Sequence, residues 1–69
     1  MIQSRDLHTI GFDMLKAGLP PAFVERVLAV ADESEACADL VYLWDEHRDE
    51  NTRSVILRKL RERIERSRA

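Results

Sequence analysis

Sixty-nine residues, 45% hydrophobic and 35% charged with a formal net charge of −2, describe one small domain spanning 1–69. The longest apolar runs, Val27–Ala31 and Leu40–Trp44, fall far short of the roughly 18 residues needed to cross a bilayer, and a single cysteine makes no intrachain disulfide. A membrane span, a disulfide scaffold, a zinc finger and most catalytic domains are thereby excluded.

The 3.6-residue period recurs along the chain, which predicts an all-α fold: a compact bundle of four short helices at about 4–17, 21–31, 33–47 and 50–67. Ser4 is the expected N-cap of the first helix, with Asp6 in its first turn. Leu7, Ile10, Met14 and Leu15 share a face there, widened by Phe12. Gly18 falls at the C′ position and Leu19 at C″, where it can fold back on Met14. Pro20 and Pro21 forbid continuation, while Pro21 suits the opening of a second helix. That helix carries Val24, Val27, Leu28 and Ala31 on its stripe, with Phe23 and Val30 on the flank.

Asp32-Glu33-Ser34-Glu35 reads as a capping box, with Asp32 as cap and Glu35 reaching back. The third helix is expected to bury Ala36, Cys37, Leu40, Val41, Leu43 and Trp44. Ten residues without an apolar side chain follow, Asp45 to Ser54, and Asp49 is the expected cap of the fourth helix. This last helix is the longest and the most basic, with Ile56, Leu57, Leu60 and Ile64 on one stripe.

Charge is segregated. Residues 25–50 hold nine acids against Arg26 and Arg48, whereas residues 51–69 hold seven bases against Glu62 and Glu65. Residues 1–24 are balanced.

Candidates for chemistry are few. Cys37 sits among apolar neighbours and reads as a buried small hydrophobe rather than a reactive thiol. His8 and His47 read as rim residues, His47 at a helix C-terminus that favours its charged form. Asp45 to Glu50 is dense in possible ligands, but its spacing matches neither an EF-hand nor a di-iron motif. No glycine-rich loop exists to cradle phosphate. No catalytic, cofactor-binding or metal-binding residue is assigned.

The stretch Ala17–Val27 has the turn glycine of a helix-turn-helix. Yet Pro20, Pro21, Phe23 and Glu25 would occupy the face meant for DNA, and only Arg26 there is basic.

The expected function is a non-enzymatic helical protein–protein interaction module: a small regulatory, adaptor or assembly protein that binds another protein or itself as a homodimer. Leu57, Leu60 and Ile64 have the spacing either to complete the core or to form a seam between copies. The expected rim comprises Tyr42, pointing away from the third helix's stripe, with Arg61 and Arg66. The alternative is a nucleic-acid-binding regulator using the basic last helix, which lacks aromatics for stacking on bases. The opening Met-Ile-Gln-Ser-Arg-Asp has no apolar stretch, which with the lone cysteine sets the expectation of a cytoplasmic protein.

Overall fold

The chain turns first where its glycine and prolines require it. In the computed structural model, which describes residues 6–67, α1 (Leu7–Lys16) ends in a Schellman motif. The Gly18 N–H donates to the Leu15 carbonyl at 3.0 Å and the Leu19 N–H to the Met14 carbonyl at 3.1 Å. Gly18 takes φ 96°, a left-handed conformation that side-chain-bearing residues adopt only with strain. Leu19 packs against the core, as its C″ position predicts. Pro20 is extended and caps α2 (Pro21–Glu33), with Pro21 at its first position. At the other end of α1, Ser4 lies outside the described residues. Asp6 is the N-cap residue itself rather than part of the first turn, and its side chain makes no capping bond.

The second break differs from the expected capping box. α2 runs two residues further, to Glu33, and α3 (Glu35–Glu46) begins after a single extended residue, Ser34. Ser34, not Asp32, is the cap: its hydroxyl accepts from the Cys37 N–H at 3.3 Å. Asp32 and Glu33 stay helical and exposed on the last turn of α2. Two separate helices result, and they pack against each other.

Between α3 and α4 (Glu50–Ser67), residues 47–49 leave the helical conformation. Asp49 caps α4 as expected, its Oδ2 accepting from both the N–H and the hydroxyl of Thr52 at 2.9 Å. These bonds, the backbone one foremost, hold the Asp49 carboxyl below its ordinary value. His47 closes α3 from the opposite side, its ring Nδ1 lying 2.9 Å from the Leu43 carbonyl oxygen.

Every helix contributes to one buried cluster. Ile10 and Met14 come from α1, Val24, Val27 and Ala31 from α2, Cys37, Val41 and Trp44 from α3, and Ile56, Leu60 and Ile64 from α4. The radius of gyration, 11.3 Å, equals within error the roughly 11 Å expected of a globule this long. No described helix is long and apolar enough to cross a membrane.

Three expectations for the packing are corrected. Phe12 and Leu15 do not join the buried face of α1; they are 65% and 39% exposed. Phe12 lies two residues from Met14, about 160° around the helix. Leu15 is about 100° away, on the flank beside Pro21, Val24 and Leu28, where α2 covers it only in part. Leu43, expected to be buried, lies on the edge of α3 and is exposed. Tyr42, expected to point away, is half-buried and packs against the core. The α3 flank that carries it is thus partly covered rather than free.

Candidate partner-binding surface

Glycine at position 11 decides how closely α1 and α2 approach. Gly11 is buried in mid-helix, and a Cβ built on it would stand 2.8 Å from Leu28 Cδ1. Leu28 therefore lies directly over the α1 backbone. Its side chain and Gly11 belong to an apolar recess of about 170 Å³ between the helices, together with Phe12, Leu15, Pro21 and Val24. His8 and Glu25 stand at its rim. Phe12 both borders this recess and projects from it, and it is the most exposed large apolar side chain among the described residues. The nearest sequence signal is the pairing of Phe12 with Leu15, which no arrangement of the stripe could bury together with Ile10 and Met14.

A second recess, of about 380 Å³, lies between α3 and α4 over Ala36 and Leu40. Lys59, Arg63 and Arg66 enter it from α4, with Glu62 among them and Asp39 from α3. None of the three cations forms an ion pair within the described chain. A third, of about 260 Å³, lies beside Trp44, Arg53 and Leu57 where the start of α4 meets Leu19.

The residues expected at a partner seam are dispersed. Leu60 has no exposed surface and Ile64 is buried, so both complete the core of one copy, the other use their spacing allows. Leu57 is half-buried against that core and borders the third recess. Arg61 turns toward α2, its guanidinium carbon 5.4 Å from the centroid of the Phe23 ring. Arg66 lies in the α3–α4 recess, and Tyr42 packs on the core. No single surface gathers the six.

Arg53, which the sequence pattern does not single out as functional, is the best-connected cation of the described chain. Its Nε donates to the Trp44 carbonyl at 3.1 Å and the His47 carbonyl at 2.6 Å. Its guanidinium carbon stands 3.7 Å from the centroid of the Trp44 ring. The end of α3 is thereby closed by a residue of α4, where carbonyl groups would otherwise lack donors. The signal is in the sequence: Arg53 is seven residues before Leu60, on the same side of the helix as the core stripe.

Cys37 is fully buried, its Sγ 4.0 Å from the Val27 carbonyl oxygen. Burial pushes the thiol pKa up, and the positive charge of Arg63 offsets part of that rise. A protonated, enclosed thiol is a poor nucleophile. Among the described residues no three His, Cys, Asp or Glu side chains are grouped to hold a metal ion, and no charged or polar side chain is buried.

In comparison with known proteins, the chain matches no family model, no curated protein and no solved structure.

Proposed function

We propose that the protein is a helical interaction module, without catalytic chemistry of its own, that binds another polypeptide through the outer face of α1 and α2. The observation that carries this reading is the 65% exposure of Phe12 beside an apolar recess. Among the other described residues, only Leu15 beside it, Leu43 of α3 and Val55 of α4 are large apolar side chains left exposed. A phenyl ring left in water beside an unfilled apolar recess favours a partner that covers both.

The magnitudes suit reversible association. Covering the exposed parts of Phe12 and Leu15 is worth about 2–3 kcal/mol, against about 8 kcal/mol for micromolar binding. The partner's own apolar groups and the polar rim must supply the remainder.

Phe12→Asp tests this directly, because an exposed position tolerates the change. The variant is expected to keep its helical circular dichroism and lose the proteins that the wild-type chain retains from native lysate. Unchanged retention would contradict the reading.

A second reading, nucleic-acid binding through α4, draws on Lys59, Arg63 and Arg66, the three cations of the α3–α4 recess. Asp39 and Glu62 in the same recess oppose a phosphate backbone. Titration with duplex DNA at two salt concentrations separates the readings: tight binding with a steep salt slope favours α4, and its absence favours the α1–α2 face.

A further inference from the structure

The α1–α2 face has the features of a surface that fits itself. A closed twofold contact needs one patch that carries both a projection and the recess that receives it. Phe12 projects from this face, and the recess over Gly11 and Leu28 lies immediately beside it. Charges of both signs lie near the recess. Lys16 is one helical turn beyond Phe12, Glu25 borders the recess, and neither forms an ion pair within the described chain. The remaining surfaces suit a second copy less well. Acids dominate residues 29–50 and bases dominate residues 51–69, so either block set against its own copy is repelled, whereas over residues 7–28, which include this face, Asp13 and Glu25 balance Lys16 and Arg26.

We propose that the occupant of this face is a second copy of the same chain, in a twofold dimer where each Phe12 ring enters the other copy's α1–α2 recess and Lys16 of one copy faces Glu25 of the other. The proposal rests on the interaction reading above and names its partner. Gly11 takes part by its lack of a side chain, which lets Leu28 lie low and leaves the recess open. Self-association also adds burial to a core that a chain of this size supplies only marginally.

Sedimentation equilibrium on the full chain tests it, with circular dichroism to verify folding of each variant. The wild type is expected to dimerise reversibly, and Phe12→Asp to raise the dissociation constant at least about tenfold. Lys16→Glu and Glu25→Lys are each expected to weaken the dimer about two- to thirtyfold, the scale of the two exposed ion pairs that a twofold contact contains, and the double variant to recover the loss. A dimer indifferent to Phe12→Asp, or a double variant no better than the singles, overturns the proposal. So does a wild-type chain that stays monomeric at millimolar concentration. In that case Phe12-dependent retention of other proteins leaves the interaction reading standing, and its absence removes both.

Discussion

Arg53 is held by three contacts at once, two backbone carbonyls and the face of Trp44. Cation–π contacts and charged hydrogen bonds of this half-exposed kind together contribute about 2 kcal/mol. Arg53→Ala is therefore expected to lower the unfolding free energy from urea titration by that amount and to change Trp44 fluorescence in the folded state. Arg53→Lys should recover only part, because an ammonium lacks the planar fork that meets ring and carbonyls together. Wild-type stability in Arg53→Ala would show that solvent replaces these contacts without cost.

Cys37 gives a pH dependence of defined sign. Its folded pKa is raised above the ordinary 9.0, so its contribution is complete below that value. Stability falls as pH rises, because the unfolded thiol ionises first and the folded one resists. Cys37→Ala, although it leaves a small cavity, should flatten this alkaline decline. In the native protein at neutral pH a thiol reagent should react only as fast as the core opens, with the rate climbing through the denaturation transition. Rapid labelling of folded protein would place the thiol at the surface.

At the scale of elements, the turns decide the fold. Gly18 is the one described residue with positive φ, and nothing stands within 4 Å of a Cβ built there. The penalty of Gly18→Ala is thus conformational and not steric: a loss of about 1 kcal/mol, measurable by thermal or urea unfolding. An unchanged or raised midpoint would mean that the turn relaxes to another geometry. This turn was legible because only a glycine followed by two prolines ends one helix and opens the next so sharply. The cap at Asp49 was legible because ten polar residues, Asp45 to Ser54, interrupt the apolar stripe, and a capping acid followed at once by Glu50 suits the first turn of a helix. The break at Ser34 was harder. Asp32, Glu33, Ser34 and Glu35 can all cap or continue a helix, and only the inward position of Cys37 fixes which N–H needs an acceptor.

Four helices with their stripes could be read from periodicity, but their neighbours could not. Leu60 and Ile64 fit a core or a seam equally well on spacing, and their choice depends on α4 lying against α2 and α3. Tyr42 and Phe12 exchanged roles for the same reason. The flank of α3 bearing Tyr42 is partly covered, and the flank of α1 bearing Phe12 is not. Arg53 stands in register with the apolar stripe, but its role depends on Trp44 of α3 lying beneath it, which the spacing within α4 does not specify.

For the molecule as a whole, a core drawn from all four helices leaves α1 as the least enclosed. It packs on α2 and α3 alone, and the apolar surface it cannot bury lies beside the α2 recess. Over residues 7–28, which include this face, Asp13 and Glu25 are balanced by Lys16 and Arg26. Association is thus expected to begin at the α1–α2 face. The most direct check follows amide chemical shifts of the uniformly labelled chain from about 20 μM to about 1 mM, a range that spans weak dimerisation. Residues 8–15 and 21–28 should move together along one binding curve while residues 59–66 of α4 stay fixed. Shifts centred on α4, or none anywhere across that range, would contradict self-association through this face.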